Sequence, residues 1–358
     1  MKEVLLITDV NFWKQGAGHR MRISSLIEYL SIHVNVNIAY LGIVPLDIKK
    51  LLPDYLIGKF IALGNKKTSS RSEYGQALKN LIQGKKYHSI IIEYIHNTYL
   101  LDYFSADAKL ILDTHDIISD RSETFKTFNA QGNPYELDWK TEAKTFAKYD
   151  FVIGICEPDY LKIKSAIGEK ALLCPHAVVP FLHTVRKKVE SIGFVASEYL
   201  PNRDAVNFFI NDCWPAIVAK YDVTLVIYGN VGKSIFLEHD KNIIVKGFIA
   251  NLADIYDKAD IIINPVRFGA GLKIKNIEAL ANAIPLVTTS HGSRGLESVM
   301  NRAYLVADGA VNFTESVISL IDNYELRLKL SKNAYSYVVD NFTPRQCYQP
   351  LLQAILAP

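Results

Sequence analysis

The sequence predicts a two-domain α/β protein with a parallel, doubly wound sheet in each half. Three observations predict it. Short apolar runs, many closing on a polar residue or a glycine, recur along the 358 residues, as strands buried on both faces do. Segments of helical period separate these runs, which is the signature of βα alternation. The pattern also restarts near residue 190, and at about 100–200 residues per domain the length fits two units.

The first set of strands begins with EVLLITDV (3–10), followed by helical spacing of Met21, Ile23, Leu26, Ile27 and Leu30. VNVNIAYL (34–41), SIIIEY (89–94), AKLILD (108–113) and FVIGIC (151–156) read as further strands, with helices over 73–83 and 136–148. The second set runs SIGFVAS (191–197), a helix over 203–219, VTLVIYG (223–229), NIIVKGF (242–248), a short helix NLADIYDKA (251–259), DIIINPV (260–266), a helix to about 282, and IPLVTTS (284–290). The stretch 173–191 joins them, with two prolines and a basic run, as a linker does. The expected domains are residues 1–178 and 186–335, with a helical tail over 336–358 that packs back on the first domain. Period places a helix at 325–342, and Pro344 and Pro350 punctuate the rest.

Composition excludes several classes. The chain is 49% apolar and 22% charged, with 19 Gly and 13 Pro, so it is neither disordered nor collagenous. A net charge of +3 demands neither nucleic acid nor a bilayer. One stretch is basic: Lys49, Lys59, Lys66, Lys67, Arg71, Lys79, Lys85 and Lys86 face only Asp54 and Glu73. It is either a solvated face or a surface for anionic lipid or an anionic acceptor. The four cysteines show no metal-ligand spacing and no C-x-x-C, which reads as reduced thiols in a cytosolic protein. The first residues do not form a signal peptide. No window approaches the roughly 18–20 apolar residues of a spanning helix, so the expected location is cytoplasmic, with any membrane contact peripheral at the inner face.

Ligands of open α/β sheets bind beyond the carboxyl ends of the strands, and the unusual residues fall there. In NPVRFGAGLKIKNIEALANAIPLVTT (264–289), Gly269 and Gly271 lie between a strand and a helix. Such a loop lets backbone amides approach a phosphate at the helix N-terminus. Lys273 and Lys275 oppose the helix dipole there, and a bound diphosphate would remove the conflict. Glu278, one turn on, can accept hydrogen bonds from ribose hydroxyls. An ordinary βα turn with a surface Glu–Lys pair is the plainer alternative.

This segment resembles the donor-site signature of retaining glycosyltransferases of family 4, which have the GT-B fold. The pattern G-x-G-x-K-x-K-x-x-E-A-x-A-x-x-x-P-x-V-x-T fits it, and HGSRGLE (291–297), PNRDAVNFF (201–209) and LVIYGN (225–230) are similar too. The resemblance covers most of the second half and is looser in the first. It implies that Glu278 holds the ribose of the sugar donor. It implies that backbone amides around Gly271, Leu272 and Lys273 meet sugar and phosphates. The family's second glutamate, which contacts donor sugar hydroxyls, is Ala270 here. The family's Arg and Lys after the first strand of this domain are replaced by Ser197 and Asn202, with Arg203 beside them, leaving Lys273 or Lys275 to supply charge. Lys246-Gly247-Phe248 is similar to the segment whose backbone pairs with the nucleobase, and Gly229 and Asn230 end a strand on the same cleft.

In the first half, Asp113-Thr114-His115-Asp116 follows a strand. A histidine between two carboxylates can be held in one tautomer; Asp116 as a helix cap is the plainer reading. The resemblance implies that His115 contacts the donor sugar, and Arg121 can meet an anionic acceptor. Gln15-Gly16-Ala17-Gly18-His19-Arg20 precedes the first helix. It fails as a dinucleotide fingerprint because Met21 stands at the third glycine, which argues against a nicotinamide oxidoreductase. The resemblance makes Gly18 a close-approach point for acceptor and phosphate. Arg20 and Arg22 are acceptor candidates or surface residues. PHAVV (175–179) replaces the family's P-N-G-V, with His176 a linker residue. No Asp-X-Asp exists in the chain, so no metal is implied. No nucleophile is identified. The chemistry is expected to rest on His115, Lys273 and Glu278, without a cofactor beyond the UDP- or GDP-sugar co-substrate. The expected reaction is sugar transfer with retention to a glycan or lipid-linked acceptor, in surface polysaccharide synthesis. No nucleic acid partner is expected. A non-catalytic nucleotide-sugar or glycan binder is the alternative.

Overall fold

A computed structural model describes residues 1–14, 16–64, 69–104, 107–133, 135–235, 242–249 and 252–357. Two parallel sheets organise it. The first contains β1 (Glu3–Thr8), β2 (Asn35–Tyr40), β3 (Phe60–Ala62), β4 (Ser89–Glu93), β5 (Lys109–Asp113), β6 (Phe151–Gly154) and β7 (Ala171–Leu173). Their order is β3-β2-β1-β4-β5-β6-β7. The second contains β8 (Ser191–Val195), β9 (Thr224–Tyr228), β10 (Ile243–Gly247), β11 (Ile261–Asn264), β12 (Leu286–Thr288) and β13 (Leu305–Val306), in the order β10-β9-β8-β11-β12-β13. Each order reverses once, between β1 and β4 and between β8 and β11. Those two switch points open toward one another's ligand side.

Burial explains the strands. β4 is buried along its whole length, and β8, β9, β11 and β12 place Ile192, Phe194, Leu225, Ile227, Ile261, Ile263 and Val287 in one core. The other face of the first sheet packs Val4, Leu6, Ile91 and Ile111 against helix Gly18–His33. Three short strands, β3, β7 and β13, lie at sheet edges; with two or three residues each they carry too little period to be read from sequence.

Two helices differ from expectation. The helix over 203–219 is three pieces, Leu200–Phe208, a π turn at Phe209–Cys213, and Trp214–Val218. Pro215 has no N–H for the carbonyl of Asn211, and the wider turn accommodates that loss. Pro344 and Pro350 do not stop the chain's last helix, Pro344–Leu356. Pro344 sits in the first turn, where no N–H is needed. Pro350 forfeits one hydrogen bond, while Tyr348, Leu351, Leu352 and Ile355 bury against the first domain's core. Lys2 and Lys109 then cap the C-terminal carbonyls of that helix through Ala354, Ile355, Leu356 and Ala357.

Candidate functional site

A cavity of about 700 Å³ lies between the two switch points. Gly18, His115 and Asp116 reach it from the first domain. Ser197, Asn202, Gly229, Phe248, Gly269, Ala270, Gly271, Leu272, Lys273, Lys275 and Glu278 reach it from the second. Arg20 and Gly247 do not line it. Gly247 instead sits in the β9–β10 ladder, its carbonyl accepting from Gly229 N at 2.6 Å.

The second domain's wall is built by one loop and one helix. Gly269 and Gly271 have φ of +105° and +69°, a left-handed geometry that a side chain would strain. The loop delivers the chain into helix Ile274–Ala281, with Lys273 as its N-cap residue. Lys273 Nζ donates to the carbonyls of Ala270 and Gly271, at 3.1 and 3.0 Å. Lys275 Nζ donates to Asn202 Oδ1 at 2.7 Å and lies 4.9 Å over the Phe194 ring. These oxygens are neutral, and among the described residues neither ammonium forms an ion pair with a carboxylate. Loss of hydration pushes Lys273 down to about 8. The same cause, with the Lys273 charge beside it, pushes Lys275 down to about 7. Glu278 accepts from the buried Tyr256 hydroxyl at 3.1 Å, and burial pushes its carboxyl up to about 7. In the empty cleft the charged forms of two lysines and one glutamate are thus all disfavoured by lost hydration.

The first domain's wall is different. Arg22 is not a surface residue: it is fully buried at the cavity's edge and binds Asp113 Oδ2 through Nε and Nη2, at 3.0 and 2.7 Å. Asp116 caps no helix, since Ile117 precedes Ile118–Thr127; it pairs with Arg121 Nη1 at 2.8 Å. That pairing occupies the arginine expected to meet an acceptor. His115 is not held by its flanking aspartates. Its Nε2 meets Glu93 Oε2 at 2.5 Å, both groups buried. The Tyr94 ring stacks on the imidazole, centroids 4.0 Å apart and planes within 10°.

Glu93 and Tyr94 are the functional candidates missed in the sequence. A carboxylate closing an otherwise apolar strand, SIIIE, was the available signal. Glu93, Asp113 and His115 place ligand atoms within 4.8 Å of one another, but Arg22 already balances the aspartate there. His176, expected only as a linker residue, is buried and pushed down to about 3 by lost hydration.

The two walls touch. A Cβ on Gly271 would come within 3.1 Å of His115 O and of Asp116 Cβ. Gly269 N donates to Thr124 Oγ1 at 3.2 Å, and Phe268 stacks on Phe128 at 5.0 Å. Arg294 Nη2 reaches Asp120 and Asp159 at 2.8 and 2.7 Å. Opposite, the Phe248 ring lies so close over Gly16 that a Cβ there would meet it at 2.3 Å.

This geometry has counterparts. Residues 190–323 match the family described as glycosyl transferases group 1. The match runs from β8 to the end of helix Ala310–Asp322, within the second domain. Over 175 residues the chain is 27% identical to an uncharacterised 44.6 kDa protein in the cps region of Klebsiella pneumoniae. That match spans 46% of this chain and 45% of the relative, so the chain spans about half the length of the curated relative it matches. Solved structures match the whole fold. Sucrose-phosphate synthase from Thermosynechococcus elongatus superposes with a TM-score of 0.74 at 14% identity, covering 99% of this chain and 98% of that one. Anabaena HepE, solved in complex with UDP and glucose, superposes with a TM-score of 0.73 at 13% identity, covering 99% of each chain. A variant of S. aureus TarM, solved with fondaparinux, α-GlcNAc-glycerol and UDP, gives 0.74 at 11% identity over 100% of each. The fold is GT-B, two Rossmann-like domains facing a cleft. Within this GT-B frame, helix Ile274–Ala281 belongs to the matched family segment, while Glu93, Tyr94, His115 and Arg22 lie outside it.

Proposed function

We propose that this protein transfers a sugar, with retention of anomeric configuration, from a nucleoside-diphosphate sugar to a glycan or lipid-linked acceptor. The observation that carries this is the pair Lys273 and Lys275. Both stand at a helix N-terminus on the cleft, partly desolvated, with only neutral oxygens for company. A diphosphate supplies the missing charge. On this reading Glu278 binds the ribose, Gly269–Lys273 backbone amides meet phosphate and sugar, and His115 faces the sugar. As the glycosidic bond breaks, negative charge grows on the diphosphate, and the lysines and helix dipole stabilise it. These lysines take the part that a metal ion plays elsewhere, so transfer proceeds without one. Ala270 leaves sugar selection to other groups.

Residues 1–178 then form the acceptor side and 186–335 the donor side. The UDP in the complexes of HepE and TarM supports a uridine diphosphate sugar as the donor. The cps-region relative supports a role in surface polysaccharide synthesis. Among the described residues no helix is long and apolar enough to cross a membrane. Leu46, Leu51 and Ile57 are exposed beside Lys49, Lys50 and Lys59, which supports peripheral docking on anionic lipid at the cytoplasmic face.

The test is a thermal-shift panel of UDP, GDP, ADP, TDP and CMP, followed by the matching nucleotide sugars. One diphosphate at about 100 times its dissociation constant should stabilise the fold by about 2.7 kcal/mol, and Glu278→Ala should abolish the shift. Turnover with an acceptor, read by the product anomer in NMR, then tests retention. Binding without turnover on any acceptor would favour a non-catalytic role, and no binding at all would remove the site assignment.

A further inference from the structure

We infer that Glu93 is a positioning residue that shares one proton with His115, so that His115 presents a protonated Nδ1 to the cleft as a hydrogen-bond donor. Glu93 Oε2 and His115 Nε2 lie 2.5 Å apart, a separation that requires a proton between them. The neighbouring charges fix how many protons the pair holds. Arg22 and Asp113 already form a closed, fully buried ion pair. His19 and His176 are pushed down to about 4 and about 3, chiefly by lost hydration, and are neutral at pH 7, while His96, on the other side of the Tyr94 ring, is paired with Asp9. Asp116 pairs with Arg121. An ionised Glu93 against a neutral His115 would therefore leave one uncompensated negative charge in a desolvated pocket, a costly arrangement. Burial and the Asp113 charge both push the Glu93 carboxyl upward, against that state.

Two states remain. In one, the Glu93 hydroxyl donates to Nε2, and the imidazole's own N–H must sit on Nδ1. In the other, an imidazolium donates to the Glu93 carboxylate, and Nδ1 is again protonated. Nδ1 makes no hydrogen bond among the described residues, and His115 lines the cavity. Moving between the states breaks one O–H bond and forms one N–H bond inside the pair. Negative charge gathering near Nδ1 would draw the shared proton from Oε2 to Nε2.

The backbone is bent to hold this arrangement. Tyr94 and His115 have φ of +67° and +62°, a region that strains a non-glycine backbone. Tyr94 turns back so that its ring covers the imidazole face. Strain at both strand ends, a stacked ring and a buried carboxylate all act on a single imidazole.

The inference deepens the reading that His115 faces the donor sugar, but its first test does not use that reading. In ligand-free protein labelled with ¹⁵N-histidine at pH 7, the His115 Nδ1 resonance should be that of a protonated nitrogen. A bare, pyridine-type Nδ1 would overturn the proposal. In Glu93→Gln no carboxylic proton is left to share, and the amide can turn either its oxygen or its NH2 toward Nε2, so the tautomer is decided by the wild-type spectrum and the variant is read in turnover. If the variant does not fold, the wild-type spectrum still decides. In turnover, Glu93→Gln should lower kcat about 10²-fold, the loss expected for one pre-aligned donor, with the nucleotide dissociation constant unchanged. Failure of wild-type protein to bind any nucleotide would remove the sugar-transfer reading, and the spectra alone would then decide whether Glu93 and His115 share a proton.

Discussion

The two walls of the cleft use their charges in opposite ways. On the first domain, each charge named at the site has a partner: Arg22 with Asp113, Arg121 with Asp116, Glu93 with His115. On the second, Lys273 and Lys275 rest on neutral oxygens and are partly desolvated. A wall whose ions are paired is finished before a ligand arrives. A wall with unpaired cations is completed by one. On the proposed function, the first domain then supplies shape and orientation, and the second supplies binding energy for an anion.

The sharpest way to break that contrast is to remove one partner on each side. Arg22→Met leaves Asp113 buried without a counter-charge. It should destabilise the fold by about 3–5 kcal/mol, read as a lower urea midpoint. Lys275→Met should do the reverse. It removes a cation that the empty cleft solvates poorly, so ligand-free stability should hold or rise. Nucleotide affinity should fall by about 1.5–3 kcal/mol, the weight of a charge-assisted contact. If Lys275→Met destabilises the ligand-free protein as much as Arg22→Met does, the second wall is structural and the contrast is wrong.

The same contrast explains what can be read in the sequence. The glycines and charged groups of the second wall lie within ten residues, from Gly269 to Glu278, because a βα loop and the helix after it are local in the chain. Its spacing is therefore visible, and so is its strand order of apolar runs. The first wall draws Arg22, Glu93, Tyr94, Asp113 and His115 from three separate elements. Only the β1–β4–β5 adjacency brings them together. Local spacing assigns His115 to the aspartates on either side of it, yet successive residues at a strand end point in different directions. Arg22 reads as a surface cation for a similar reason, since nothing near it in sequence announces Asp113. The edge strands β3, β7 and β13 escape because so few residues carry no period. The π turn at Phe209–Cys213 is a response to Pro215, visible only once the helix is built.

Protonation offers a gentler probe of the second wall. Lys273 and Lys275 stand at about 8 and about 7 in the empty cleft, chiefly through lost hydration. Their unfolded values are near 10.4, so between pH 7 and 10 the unfolded chain binds more protons than the native one. These two groups therefore make the ligand-free protein more stable as pH rises through that window. A bound diphosphate should raise both values again. The complex then holds more protons than the free protein, and binding at pH 8 should take up between roughly one and two protons, weakening affinity with rising pH by about 1.4 kcal/mol per pH unit for each proton taken up. Glu278, near 7, is mostly ionised at pH 8 and contributes little there. Calorimetry in two buffers of different ionisation enthalpy reads the uptake directly. Zero uptake at pH 8 would mean that the lysines are already charged, and the second wall would lose its claim to be incomplete.

The smallest effect should come where the walls meet. Arg294 belongs to the second domain, yet it spans to Asp120 and the buried Asp159 of the first. Lys162 also holds Asp120, so one carboxylate keeps a cation if Arg294 is lost. The aromatic contacts of Phe268 with Phe125 and Phe128 persist as well. Arg294→Gln keeps an amide N–H to donate to the buried Asp159, so it should cost on the order of 1 kcal/mol of closure, the weight of a hydrogen bond to a charged group rather than of a buried charge left bare, and leave each domain's own stability intact. If closure over the donor is what assembles the site, that loss should raise the KM for the sugar donor about fivefold and spare the dissociation constant of the bare nucleotide, which the second wall binds alone. Small-angle scattering should show a larger radius of gyration in the variant. An equal loss of affinity for nucleotide and for nucleotide sugar would place Arg294 within the second wall's own binding surface, and the division of labour between the walls would have to be redrawn around it.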